Sequence, residues 1–112
     1  MSLQQEQAQF TRDLVKLLEF CFSRGYDVSI GEVQRTPEQQ QIYVKTGRSK
    51  TMASNHLRKC AVDLFIFLSG RLLQSKAELQ PIGDFWESLG PKNSWGGNWN
   101  SFKDCPHFER RP

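Results

Sequence analysis

The N-terminal part of the chain has the spacing of an amphipathic helix. Apolar side chains recur at intervals of three and four from about residue 5 to residue 24, which predicts a helix that stops at Gly25. The apolar positions of this helix are Phe10, Leu14, Leu17, Leu18, Cys21 and Phe22. A short strand interrupted by a glycine is indicated next by Val28, Ile30, Gly31 and Val33.

The second helix has a well-formed start. Thr36 is a suitable N-cap, Pro37 suits the first helical position, and Gln39 would complete a capping box. We expect this helix to end at about Gly47 and the polar stretch 48–59 to form a loop.

An apolar run in the middle of the chain predicts a β-hairpin. Residues 61–68 are apolar except for Asp63, and a Ser-Gly pair after them is a typical turn. Residues 71–73 would form the returning strand.

Helical spacing resumes after the hairpin. The apolar residues from Leu79 to Leu89 are spaced for a helix, Gly90 would end it, and Pro81 limits how far back it can begin. A final short strand is indicated at residues 107–109. Helices packed against one small, mostly antiparallel sheet make an α+β fold.

Length and composition fit one small globular domain over residues 1–112. With 38% hydrophobic and 24% charged residues, the chain can form a modest core and is not expected to be disordered. The net charge of +3 is only mildly basic, and the basic residues are scattered along the chain. Nucleic-acid binding is therefore not expected.

The N-terminal sequence and the cysteines bear on where the protein works. The chain starts without the basic segment and apolar stretch of a signal peptide, and no apolar run approaches the ~18 residues of a membrane span. We therefore expect a protein made in the cytoplasm, without membrane insertion. Its three cysteines are too dispersed for a disulfide framework; Cys21 should lie in the core, whereas Cys60 and Cys105 are close to candidate metal ligands.

Both histidines of the chain have carboxylates nearby in sequence. Asp63 follows His56 and interrupts an apolar strand, where a buried carboxylate is unfavourable unless it is paired or binds a metal. Asp104 and Glu109 flank His107. Two imidazoles and one carboxylate are a common catalytic zinc set. The spacing alone leaves an alternative to a metal site, in which Asp63 faces solvent and the two histidines have no common function.

Several ordered motifs from about residue 32 to residue 109 resemble those of the M15 zinc peptidases. This family includes D-alanyl-D-alanine carboxypeptidases and dipeptidases, and the L-alanyl-D-glutamate endopeptidases of phage endolysins. Its patterns are Ser-x-His-x-x-Gly-x-Ala-x-Asp, Trp-Gly-Gly and carboxylate-x-x-His. The matching residues here are Ser54, His56, Ala61, Asp63, Trp95, Gly96, Gly97, Asp104 and His107. The resemblance implies the α+β fold of hedgehog proteins and DD-peptidases.

The resemblance also implies a metal and a base. By position in the motifs, His56, Asp63 and His107 would bind Zn²⁺. Asp104 would be the general base, accepting a proton from water and passing it to the leaving amine.

Three more residues match the family. Arg35 would stabilise the oxyanion of the tetrahedral intermediate. Gln40 would bind substrate or position Arg35, unless it belongs to a solvated run of glutamines. Ser54 would orient substrate or a ligand, or it would only cap a turn.

Two features depart from the family or compete with the ligand set. Lys59 replaces the glycine of the motif, which we interpret as a loop change that brings a charge to the cleft rim. Cys60 should face the opposite side of its strand from Asp63, and a proline between Cys105 and His107 makes shared ligation awkward. Core or cleft-wall positions are favoured over a sugar-stacking role for Trp86, Trp95 and Trp99.

The sequence thus predicts a zinc peptidase of peptidoglycan stem peptides. An endolysin-type L-alanyl-D-glutamate endopeptidase is favoured over a D-alanyl-D-alanine carboxypeptidase, and the bond cleaved depends on loops. A non-catalytic, zinc-containing wall-binding module is the alternative, which an intact Asp104 and Arg35 disfavour. We expect a monomer that reaches the wall through phage or prophage lysis, or as a tail-associated enzyme.

Overall fold

A computed structural model describes residues 1–49, 54–101 and 103–112. Helix α1 covers Leu3–Ser23, and its N-cap Ser2 forms a reciprocal capping box with Gln5. The helix therefore begins slightly earlier than its apolar spacing suggested, and it ends before Gly25, whose φ is +81°. Cys21 lies in the core as predicted, but Phe22 is exposed, because it falls beyond the edge of the apolar stripe.

Strand β1 covers Asp27–Ile30, and helix α2 covers Pro37–Lys45. The Thr36 hydroxyl accepts from the Gln39 amide at 3.1 Å, so the predicted N-cap is confirmed. The segment between β1 and α2 runs beside strand β2 (Ala61–Leu68), because the Gly31 amide donates to the Asp63 carbonyl at 2.7 Å.

The predicted hairpin is confirmed. Strand β2 pairs with the two-residue strand β3 (Arg71–Leu72). Ser69 and Gly70, with φ of 52° and 78°, form a turn in which both central residues are left-handed, the conformation that fits the twist of a tight hairpin.

Helix α3 covers Lys76–Ser88 and contains Pro81, so the expectation that this proline limits the helix start was wrong. Ser75 caps the helix by accepting from the Glu78 amide at 3.2 Å, and this cap fixes the start upstream of the proline. Both Pro81 and Ala77, whose carbonyl loses its helical donor, are exposed, so water can replace the missing hydrogen bond.

Strands β4 (Asn93–Trp95) and β5 (His107–Arg110) complete the sheet. Its order is β1-β2-β5-β4, with β3 also paired to β2, and every pairing among the described residues is antiparallel. The fold is thus the α+β arrangement expected, with β5 as predicted and β4 not foreseen.

Helices α1 and α3 pack against one face of the sheet. Alternate residues of β2 point into this core, and the cluster consists of Phe10, Leu17, Cys21, Val62, Leu64, Ile66, Leu73, Leu79, Ile82, Trp86, Trp95 and Phe108. Asp63 lies on the other face, which is therefore available for a site. Within the described parts of the chain, no helix has both the length and the hydropathy for crossing a membrane.

Candidate metal centre

The register of β2 and β5 brings a carboxylate and an imidazole together. Asp63 is the direct antiparallel partner of His107, so both side chains project from the sheet face opposite the core. Asp63 Oδ1 and His107 Nδ1 are 3.5 Å apart.

His56 comes from the 3₁₀ helix Asn55–Arg58, just before β2. Its Nδ1 lies 2.9 Å from the Val33 carbonyl, which can only accept, so this nitrogen carries the ring proton. The unprotonated Nε2 then faces Asp63 Oδ1 at 3.3 Å. One ligand atom from each of His56, Asp63 and His107 lies within 4.8 Å of the other two.

The cluster fits a divalent cation such as zinc. Among the described residues, His56 Nε2 and Asp63 Oδ1 are buried and have no hydrogen-bond partner, although they are close to one another. Such orphaned polar atoms are unfavourable unless something else satisfies them, and a metal ion would satisfy both. Two imidazole nitrogens and one carboxylate oxygen are a donor set that tetrahedral zinc accepts.

Neither nearby cysteine belongs to this cluster. Cys60 is fully buried and points away from Asp63, as the strand parity predicted. Cys105 is also outside the group of candidate ligands in the described chain. Its carbonyl accepts from the Trp95 indole at 2.8 Å.

The ionisable groups of the cluster shift one another's pKa values. Burial alone would raise the pKa of Asp63, but the rings of His107 and His56 outweigh it and hold that pKa below its usual range. Burial alone would lower the pKa of His107, but the carboxylates of Asp63 and Glu109 raise it to about 9. A metal would compete with these protons for the same lone pairs.

Asp104 stands on a loop braced by the Trp-Gly-Gly segment. Its amide donates to the Gly96 carbonyl at 3.1 Å, and a Cβ on Gly96 would lie 2.2 Å from the Asp104 carbonyl oxygen, so glycine is required there. A Cβ on Gly97 would likewise lie 2.2 Å from the buried Trp95 ring. Burial, with a smaller contribution from the Asp63 charge, raises the pKa of Asp104.

Arg35 is held by several polar contacts. Its Nε donates to Glu32, and its Nη1 donates to Gln40 Oε1 at 2.5 Å and to Ser54 Oγ at 3.5 Å. The Tyr43 ring lies under the guanidinium, 4.6 Å from its centre, and the Tyr43 hydroxyl donates to Glu32 at 3.1 Å.

The structure brings Gln40 and Ser54 to Arg35. Gln40 is fully buried, so its placement in a solvated run was wrong, and its contact with Arg35 matches the positioning alternative. Ser54 caps the 3₁₀ helix by accepting from the His56 amide at 3.2 Å. It is thus both a cap and a neighbour of Arg35.

These groups share one cleft of about 460 Å³. Arg35, Asp104, His56 and His107 line it together with Trp99 and several arginines. Trp86 and Trp95 are buried in the core, and Trp99 lines the cleft, 5.1 Å from the His107 ring, so all three are in core or cleft-wall positions as predicted.

From the sequence, Glu109 was only the next candidate for the general base after Asp104, because it is close to His107. Its Oε1 lies 2.7 Å from His107 Nε2, on the side of the ring away from Asp63. The period of two along a strand was the available signal, since Glu109 shares a face with His107.

Lys59 lies outside the cleft-lining residues of the described chain, so the expected rim charge is not found. It has φ 57° and ψ 35° and ends the 3₁₀ helix, which explains why glycine suits this position.

Comparisons with known proteins find similarity to peptidases. Residues 47–110 match an M15 peptidase family model described as D-alanyl-D-alanine carboxypeptidase. The L-alanyl-D-glutamate peptidase of Listeria phage A118 is 39% identical over 98 residues, which are 84% of this chain and 34% of that protein. The chain therefore spans about a third of that relative's length. The crystal structure of Serratia marcescens L-Ala D-Glu endopeptidase ChiX superposes with a TM-score of 0.70 at 25% identity, over 96% of this chain and 84% of that one.

Proposed function

This chain belongs to the M15 family of metallopeptidases, and from that premise we propose that it is a zinc-dependent endopeptidase that cleaves the L-alanyl-D-glutamate bond of peptidoglycan stem peptides. The observation that carries the proposal is the cluster of His56, Asp63 and His107, whose buried ligand atoms His56 Nε2 and Asp63 Oδ1 have no hydrogen-bond partner, beside a cleft that Asp104 also lines. The names of both relatives specify this bond.

His56 Nε2, Asp63 Oδ1 and His107 Nδ1 are the atoms that would hold zinc. When bound, zinc would activate a water molecule and polarise the scissile carbonyl. The three residues supply at most one negative charge, so the site keeps a net positive charge when it is loaded, which suits stabilisation of an anionic transition state.

Asp104 would accept the proton of the attacking water at its carboxylate and later donate it to the departing amine. Its raised pKa suits this exchange, because a carboxylate that is a stronger base takes a proton more readily. Gly96 and the Trp95 indole hold the loop that carries it, and Asp104 lines the same cleft as His56 and His107.

Arg35 would stabilise the oxyanion, with Gln40 and Ser54 positioning its guanidinium. A second hollow of about 380 Å³ adjoins the cleft and shares Arg35, Arg48 and Asp104 with it. A peptide substrate would lie along these two adjoining hollows.

A D-alanyl-D-alanine carboxypeptidase is the second candidate, favoured by the description of the matching family model. A wall-binding module without turnover is disfavoured, because binding alone requires neither Asp104 nor Arg35 at the cluster. The phage relative supports an enzyme that reaches the wall when a phage lyses its host.

The substrate is tested by incubating purified protein with peptidoglycan fragments and identifying the new termini by mass spectrometry. The proposal predicts a new N-terminal D-glutamate on the released peptide. Release of a single C-terminal D-alanine would establish the carboxypeptidase instead, and intact fragments would leave only a binding module.

Our first prediction concerns Asp104. Asp104→Asn preserves size but removes the proton acceptor, so hydrolysis should fall by about 10²–10⁴-fold while the protein retains about one zinc per chain. Wild-type activity should fall as the pH drops through the raised pKa of Asp104, because only the carboxylate is the base. Metal analysis and initial rates measure both effects.

The controls for this prediction separate base from ligand. His56→Ala should lose the zinc, whereas Cys105→Ser should retain both zinc and activity, since Cys105 lies outside the cluster. If Asp104→Asn cleaves as fast as wild type, another group is the base.

A further inference from the structure

Glu109 is a buried carboxylate on the site face of β5, with 6% of its surface exposed. A buried carboxylate needs several hydrogen-bond donors. The proposed mechanism gives Glu109 no role, since the zinc ligands, the base and the oxyanion partner are other residues. It has three donors: His107 Nε2 at 2.7 Å on Oε1, and Asn55 Nδ2 at 2.9 Å and Arg111 Nε at 2.7 Å on Oε2.

The Oε1 contact determines which ring nitrogen carries the proton when His107 is neutral. An ionised carboxylate only accepts hydrogen bonds, so the ring nitrogen facing Glu109 must carry a proton. In the neutral ring, the lone pair is then on Nδ1, the atom that faces Asp63. Glu109 therefore selects the tautomer in which His107 presents a metal-binding lone pair to the cluster, and it sets the angle of the ring.

The Oε2 contacts extend this effect to the other histidine. Asn55 precedes His56 in the same 3₁₀ helix, so the Asn55–Glu109 hydrogen bond ties the segment bearing His56 to the strand bearing His107. Arg111 donates to Oε2 from the solvent side, where its guanidinium lies 5.8 Å from the Trp99 ring centre. We call the three contacts of Glu109, with His107, Asn55 and Arg111, the clamp.

We infer that Glu109 is a positioning residue of the metal centre, which orients His107 directly and the His56 segment through Asn55. The inference rests on the proposal that the cluster of His56, Asp63 and His107 binds zinc. Partners of this kind raise metal affinity by holding ligand rings in one orientation, and their loss typically weakens binding by about 10–100-fold.

Glu109→Gln is a sharp test because it conserves shape. Its amide has one oxygen and one NH₂ group, whereas Glu109 faces donors on both sides. If the oxygen faces His107, the NH₂ group opposes Asn55 and Arg111; if it is reversed, the NH₂ group opposes the protonated ring nitrogen. Either arrangement loses one half of the clamp.

The measurement is the zinc dissociation constant of each folded protein, determined by competition with a chromophoric chelator, together with the visible absorption of the Co²⁺-substituted protein. Glu109→Gln should weaken zinc binding by about 10–100-fold and change the Co²⁺ spectrum. Wild-type affinity and an unchanged spectrum in this variant would overturn the inference.

Glu6→Gln is the matched control. Glu6 is also a buried carboxylate with two cationic partners, and one of them is Arg110, next to Glu109 but on the other face of β5. This change should lower stability while leaving zinc affinity and the Co²⁺ spectrum as in wild type. If it weakens zinc binding as much as Glu109→Gln does, loss of general stability explains both, and the inference fails.

Asn55→Ala keeps the test decisive if Glu109→Gln does not fold. It leaves His107 paired with Glu109 and removes the link between Glu109 and the His56 segment, together with the exposed hydrogen bond that Arg58 donates to Asn55 Oδ1. Zinc binding should therefore weaken by less than in Glu109→Gln. Unchanged affinity here would refute the coupling between the two histidines. A wild-type protein that binds no zinc would instead refute the proposed function itself.

Discussion

The Arg35 side chain is held in one orientation by its neighbours, which a residue that supplied only a positive charge to the cleft would not require. Glu32 and Gln40 both accept hydrogen bonds from its guanidinium, and the Tyr43 ring lies against one face of it. Gln40 has no exposed surface, so its hydrogen bond with Arg35 is shielded from water. A hydrogen bond is electrostatically stronger where water is excluded. Such an arginine is preorganised, which is the condition under which one donor contributes most to stabilising a transition state.

We predict that Arg35→Ala lowers kcat by about 10²–10³-fold with zinc content unchanged, because a preorganised donor is lost and no metal ligand is touched. Arg35→Lys should restore only part of the rate, since an ammonium cannot contact Glu32 and Gln40 as a planar fork does. Steady-state kinetics and metal analysis measure both variants. Arg12→Ala, an exposed change on α1, is the control, and an Arg35→Ala enzyme with the wild-type kcat would exclude the role.

Lys59 has a backbone conformation that is unfavourable for any residue with a Cβ. The left-handed region costs such residues about 1–2 kcal/mol relative to the right-handed one. The conformation is needed here because the chain must leave the 3₁₀ helix and enter β2 within two residues.

We predict that Lys59→Gly stabilises the protein by about 0.5–1 kcal/mol, which is the strain removed less the larger entropy of glycine in the unfolded chain. Urea unfolding measures the difference. Lys59→Ala removes the same charge without relieving the strain, so it should be no more stable than wild type. A glycine variant less stable than the alanine variant would show that the side chain, not the backbone, matters here.

At the scale of elements, the apolar pattern predicted the longer elements and the hairpin but missed strand β4. The spacing of apolar residues located α1 and the β2–β3 hairpin, because each offers several turns or alternations to read. Strand β4 has only three residues and is followed directly by two glycines, so its pairing with β5 depends on contacts that no local pattern carries. The Ser75 cap, rather than Pro81, determined where α3 begins, because a cap satisfies free amides at the helix start.

The candidate site was predictable only where a motif fixed both the residue type and its spacing. His56, Asp63 and His107 stand in such motifs, and the sheet register brings them together. The roles of Glu109 and the Val33 carbonyl were not predictable, since they depend on which ring nitrogen faces which neighbour. That information exists only after the elements have packed.

At the scale of the whole molecule, an ion cluster built on the buried side chains of Glu6 and Arg110 joins the first helix to the last strand. Glu6 on α1 accepts from Arg110 on β5 and from Lys92, both at 2.7 Å. The hydrogen bond from Lys92, with further contributions from Arg110, holds the pKa of Glu6 below its ordinary value of 4.5. A carboxyl group with a depressed pKa stabilises the folded state when it is ionised.

We predict that Glu6→Gln is less stable than wild type at neutral pH and that this difference disappears in acid. The pKa of Glu6 is lower in the folded state, so its contribution is fully present above pH 4.5 and is lost as the pH falls through the folded-state value. Urea unfolding of both proteins between neutral pH and about pH 3 measures the difference, and effects common to both cancel. A difference that stays constant across this range would contradict the prediction.

The alternation of β2 has a consequence for changes in chain length. Val62 and Leu64 face the core while Asp63 faces the cleft, so deleting one residue at the start of β2 would exchange the two faces for the rest of that strand. The carboxylate would enter the core, and apolar side chains would enter the cleft. Insertions and deletions should therefore be tolerated in the exposed turn at Ser69 and Gly70 but not within the strand. We expect relatives of this chain to differ in the length of this turn and to keep the number of residues in β2.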